Sequence, residues 1–162
     1  MMAHNRRAGP ARRRSGGLES EAVRVWLLDG FQVSVGPRNI GEDQWRLTKA
    51  KSLVKILALA RDHRLHRESI MDLLWPGLDT RSATNNLYRV LHFARKALGP
   101  GLADTAHQRI SLHAGIVEFC NDGSFWVDVN AFDDASSTAR RSREPTAYQA
   151  ALDLYAGDLL PE

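Results

Sequence analysis

The sequence predicts an α+β fold in which a β-hairpin leads into three helices, a second hairpin follows, and a helical hairpin ends the chain. Three observations carry this. Strand-like alternation flanks an Asp-Gly pair at 29–30 and an Ala-Gly pair at 114–115. Apolar residues recur at three- and four-residue steps between residues 49 and 98, and that period returns after residue 130.

Residues 1–21 contain five arginines among Gly, Ser and Ala, and so few apolar side chains that a disordered basic leader is expected. Val23, Val25 and Leu27, then Phe31, Val33 and Val35, alternate on either side of Asp29-Gly30, a pair that accepts the positive φ angles of a type I′ turn. Gly36-Pro37-Arg38-Asn39 reads as another turn, with short strands around Ile40 and Trp45.

The first helix is expected over 49–61, capped by Thr48, with Leu53, Ile56, Leu57 and Ala60 as its apolar stripe. Lys49 and Lys51 stand at the positive end of its dipole, a cost of a few tenths of a kcal/mol each that a phosphate would offset. A loop at 62–65 leads to a short helix over 67–75, with Ile70, Leu73 and Leu74 inward and Pro76-Gly77 ending it.

The third helix, 79–98, organises the rest. Ala83, Leu87, Val90, Leu91, Ala94 and Leu98 fall on one stripe. Asp79 or Thr80 can cap its start, Gly99 suits a left-handed C-cap, and Pro100 cannot continue it. At 100° per residue Arg81, Asn85, Tyr88, Arg89, His92, Arg95 and Lys96 gather on the opposite face, with no carboxylate among them. Asn matches adenine edges, and Arg and Lys match guanine edges or phosphates; a helix of this length fits a major groove. Three helices in this order, the last with the basic face, have the layout of a helix-turn-helix. The hairpin at 109–119 then makes it a winged helix, whose tip offers only His113 and nearby Arg109.

Beyond it, Asn121-Asp122-Gly123 reads as a turn and Phe125-Trp126-Val127 as a short buried link. Asn130 is expected to cap a helix to about residue 140, and a second helix spans about 146–155, with Pro145 near its start and Gly157 past its end. The acidic trio Asp128, Asp133 and Asp134 is expected to complement the dipole near the first helix start. A single helical pair leaves a face uncovered. Either it docks on the winged helix or the chain is the front part of a longer protein.

Charge is unevenly placed. Residues 44–98 carry 11 basic against 4 acidic groups, whereas residues 99–162 carry 4 against 10. A concentrated basic block is the footprint of a protein that meets a polyanion. Backbone contacts are expected from Lys49, Lys51, Arg67, Arg109 and His113. The single Cys120, expected to be buried filler, excludes an internal disulfide framework, and no apolar run approaches bilayer length, so a cytoplasmic protein is expected. An enzyme is not expected. The sequence has no phosphate-loop, nucleophile-elbow or His-Glu-x-x-His pattern, and His63 and His66 are too few for a metal shell. No cofactor is implied.

Residues 23–119 resemble the OmpR-type winged-helix DNA-binding domain of bacterial regulators. The core runs Leu53-Val-Lys-Ile-Leu-Ala-Leu59, Ile70-Met-Asp-Leu-Leu-Trp75 and Asn86-Leu-Tyr-Arg-Val-Leu-His-Phe-Ala-Arg-Lys-Ala-Leu98 carry the resemblance. The runs Trp126-Val-Asp-Val-Asn-Ala-Phe132 and Ala151-Leu-Asp-Leu-Tyr-Ala-Gly-Asp-Leu-Leu-Pro161 resemble the opening of the bacterial transcriptional activator domain found in antibiotic-regulatory-type transcriptional activators. His66 departs from the Ser or Thr cap common in such proteins, and the wing lacks an arginine-rich tip. The resemblance implies three regions: a leader at 1–21, a winged helix at 22–120, and at 126–162 the first helical pair of a TPR-like domain, truncated. It implies sequence-specific binding to double-stranded promoter DNA, in direct repeats, with RNA polymerase as a further partner and no membrane. The alternative is a winged-helix protein-protein interaction module, which should carry large apolar residues where Arg81, Asn85, Arg89, His92 and Lys96 stand.

Overall fold

The structure, a computed structural model, describes residues 22–99, 109–119 and 125–161. The expected leader, the turn at 121–123 and Cys120 lie outside the described residues. Among the described residues the fold is mixed α+β, with five α-helices and two small sheets.

The first sheet has the order β3-β2-β1-β7, with β1 at Val23–Trp26, β2 at Gln32–Val35, β3 at Arg38–Asn39 and β7 at Phe125–Val127. Strands β1 and β2 pair antiparallel as expected, but not around a two-residue turn. Val25 faces Val33 and Trp26 faces Gln32, which puts Asp29 at the centre of a five-residue loop. Asp29 and Gly30 do have positive φ, 60° and 126°. The loop is wide because its backbone is bonded elsewhere. Asp29 N donates to Asp158 O, Leu160 N to Leu27 O, and Leu28 bridges Leu159. Arg38 and Asn39 pair with β2 rather than turning, and Ile40 and Trp45 are buried beside a 3-10 turn at Glu42–Gln44.

Helix α1, Thr48–Leu59, begins one residue earlier than expected, so Thr48 is inside it and Leu47 is the uncapped N-cap. Leu53 and Leu57 are buried with Ala50, Val54 and Ala58, while Ile56 is half-buried. The expected loop after it contains a strand, β4 at Arg64–His66. Its three residues pair antiparallel with β6, Ile116–Phe119, which also pairs with β5, Ile110–His113. The β5–β6 hairpin matches expectation. Ala114 and Gly115 both have positive φ, 49° and 80°, as a type I′ turn requires.

Helix α2, Arg67–Leu74, buries Ile70, Met71 and Leu74. Leu73, expected inward, is 62% exposed. Two turns fix the phase of a stripe poorly, and Met71 fills the place instead. Helix α3, Thr80–Leu98, buries the expected stripe together with Ala97. Asp79 caps it by accepting from Ser82 N at 3.0 Å. The Ser82 hydroxyl and then its amide lower the Asp79 pKa. The cap therefore contributes fully above the ordinary carboxylate range and is lost as pH falls through the lowered value. Gly99 has φ 78° but ψ 169°, so its positive φ is not a left-handed helical cap.

The link at 125–127 is β7, parallel to β1 with Val25 beside Val127. Helix α4, Asp128–Ser142, starts two residues before the expected cap, and Asn130 lies inside it. Helix α5, Pro145–Leu154, takes Pro145 into its first turn. Asp128 does more than complement a dipole. It is 3% exposed, and its carboxylate accepts from Leu27 N, Leu28 N and Val129 N at 2.8–3.0 Å. Asp133 and Asp134 are exposed. Trp26 meets Trp126 edge-on, with ring centroids 5.6 Å apart. The start of α4 thus packs against β1 and β7, and residues 158–160, beyond α5, bond the loop that follows β1.

Candidate nucleic-acid interface

Helix α3 presents its basic face from a rigid base, because its opposite side packs on α1, α2 and β5. Along its 19 residues, about 28 Å of axis, Arg81, Asn85, Tyr88, Arg89, His92 and Lys96 are all exposed. The side chains of Arg81, Asn85, Arg89 and Lys96 make no hydrogen bond or ion pair among the described residues. Their donors are left to solvent or to a ligand.

Arg95 is different. It is half-buried, and its Nε donates to Ile110 O at 2.8 Å, tying α3 to β5. Burial lowers its pKa, although a guanidinium this basic keeps its charge at neutral pH. The helical projection places Arg95 at the edge of the face, and the neighbouring strand captures it. Arg95→Ala is expected to cost about 1.5 kcal/mol of stability, the low end for a hydrogen bond to a charged group because the site is only half-buried, and to leave base preference unchanged. Thermal unfolding together with a comparison of bound sequences checks both halves.

The backbone-contact set divides in the same way. Lys49 is exposed beside a cleft of about 190 Å³, whose lining also includes Thr48, Trp75, Asn86 and Arg89. The start of α1 and the middle of α3 therefore bring Lys49 and Arg89 to one place. Lys51 bonds Glu42 at 2.6 Å, so a carboxylate of the chain itself offsets the dipole cost that a phosphate was expected to offset. Arg67 lies 3.8 Å from Glu68, and its backbone N–H donates to Gly115 O. His113 is exposed next to the turn of the β5–β6 hairpin, and Arg109 is half-buried just before β5.

No protein-family model and no curated protein matches the chain. Two arginines that the helical periodicity passes over, Arg38 and Arg46, flank the end of α3 with Lys96 in a second cleft. Arg46 belongs to the basic block of residues 44–98, the only sign of its role in the sequence.

Of the histidines weighed as metal ligands, His63 has Nδ1 within 3.4 Å of Leu57 O and Nε2 within 3.4 Å of the Asn130 amide, and His66 pairs with Glu68. Among the described residues no group of three His, Cys, Asp or Glu side chains could hold a metal ion, and no helix is long and apolar enough to cross a membrane.

Proposed function

We propose that the chain is a sequence-specific, double-stranded DNA-binding transcriptional regulator of the cytoplasm. In this reading residues 22–120 act as a winged helix of OmpR type, α3 enters the major groove and the β5–β6 hairpin is the wing. Helices α4 and α5 are the first pair of an activator-type domain. The observation that carries the reading is the exposed face of α3, which is basic, free of carboxylates, and whose Arg81, Asn85, Arg89 and Lys96 side chains have no hydrogen-bond or ion-pair partner among the described residues. A solvated face on an ordinary helix mixes signs, whereas this one offers amide and guanidinium donors at a spacing suited to base edges and phosphates. Rigid packing beneath it supports recognition, because little has to be ordered on binding.

The interaction-module alternative draws on a different surface. Tyr148, Leu152, Tyr155 and Leu159 are all 45% exposed or more. They lie on or just beyond α5 and leave the α3 face unexplained. A fluorescence titration of the full chain with a labelled pool of random duplexes separates the two readings. Binding at low salt that unlabelled duplex competes away is expected; no binding to any duplex would put the interaction module first.

A further inference from the structure

The second cleft, about 280 Å³, lies between β3, the 3-10 turn at Glu42–Gln44 and the last two turns of α3. Arg38, Arg46 and Lys96 line it against one carboxylate, Asp43, with Gln44 and the half-buried Phe93 completing the walls. The lining is thus positive overall. Arg38 is held in place. One terminal nitrogen donates to Leu98 O at 2.9 Å and the other reaches Gln44 Oε1 at 3.5 Å. Gly99 makes room for this, since a Cβ there would stand 2.5 Å from the guanidinium. A guanidinium has five N–H donors, so Arg38 keeps others for a ligand while its ordering is already complete.

Position decides what the ligand is. In helix-turn-helix docking the residues near the start of the reading helix contact base edges. Lys96 lies eleven residues beyond Asn85, about 16 Å along the helix at 1.5 Å per residue. The major groove is only about 12 Å wide. With Asn85 at a base, the Lys96 end is therefore beside a strand rather than over a base pair. We propose, resting on the DNA-binding reading above, that this cleft seats a backbone phosphate of the duplex and that Arg46 and Lys96 close on it around the fixed Arg38. The footprint then extends from α3 onto the edge of the first sheet.

Arg46→Ala tests this, because the Arg46 side chain is exposed and makes no hydrogen bond or ion pair among the described residues; its backbone N–H bond to Gln44 O survives the substitution, so folding is spared. On the site selected by the wild-type full chain, the variant is expected to bind about three- to tenfold more weakly on every sequence. Its salt slope should fall by about one unit, with the preferred sequence unchanged. Ethylation of one flanking phosphate should weaken the wild type and not the variant. If the wild type binds and Arg46→Ala retains both affinity and slope, the phosphate seat is overturned while the DNA reading stands. If the wild type binds no duplex, both fall. A nucleoside monophosphate arm separates the other source of phosphate. Shifts in the Phe93 and Ala97 amide resonances that Arg46→Ala abolishes, with DNA binding unaffected, would assign the cleft to a soluble phosphate and overturn the proposal.

Discussion

Asp128→Ala is expected to lower the stability of the chain by about 3 kcal/mol, read as a fall in the urea midpoint at constant m. The carboxylate is buried and accepts from three backbone amides, two of them in the loop after β1 and one at the start of α4. A bond to a charged acceptor contributes about 1.5–3 kcal/mol, and an amide left buried without a partner costs about 1–3 kcal/mol. The three losses will not add in full, since water can enter part of the vacated space. Asp128→Asn should recover part of the loss, because its one carbonyl oxygen still accepts while its amide group faces other donors. Equal midpoints for wild type and Asp128→Ala would show that the helical pair is held by its apolar contacts alone.

Binding to duplex DNA is expected to weaken about five hundredfold between about 50 and about 200 mM salt. Lys49, Arg89, Arg38, Arg46 and Lys96 line the two clefts along α3. If this surface as a whole, with Arg81 on the same face and the second cleft counted as one seat, neutralises about five phosphates and releases their counterions, the logarithm of affinity falls with the logarithm of salt at a slope of about −4.5. Fluorescence titrations at both concentrations measure it. A slope near zero would mean that the basic face meets no polyanion, whatever its affinity for other partners.

The parts of the fold legible in the sequence are those whose information is local. The α3 stripe and the β5–β6 turn needed only spacing and a two-residue pair with positive φ. What escaped depends on distant partners. Arg64, Leu65 and His66 form a strand because β6, some fifty residues later, pairs with them. Phe125, Trp126 and Val127 do so because β1, a hundred residues earlier, leaves an edge open. The Asp29-Gly30 loop widens for a similar reason, since residues 158–160 and Asp128 take up its backbone groups. In the candidate interface, projection at 100° per residue found the exposed positions but not the reach of Arg95 to Ile110 O. Nor could it assemble Arg38 and Arg46 with Lys96, because those arginines lie outside any helix.

Asn85 offers the most direct test. It is exposed near the centre of the α3 face and its side chain makes no hydrogen bond or ion pair among the described residues, so Asn85→Ala should leave the unfolding free energy within about 0.5 kcal/mol of wild type. The measurement is selection of bound fragments from random duplex DNA, run in parallel with wild type and variant. Wild type should enrich a defined sequence. Asn85→Ala should lose preference at one base position of it and bind the best site about 1–3 kcal/mol more weakly. An identical enriched sequence for both proteins, or none for the wild type, would contradict base reading by α3.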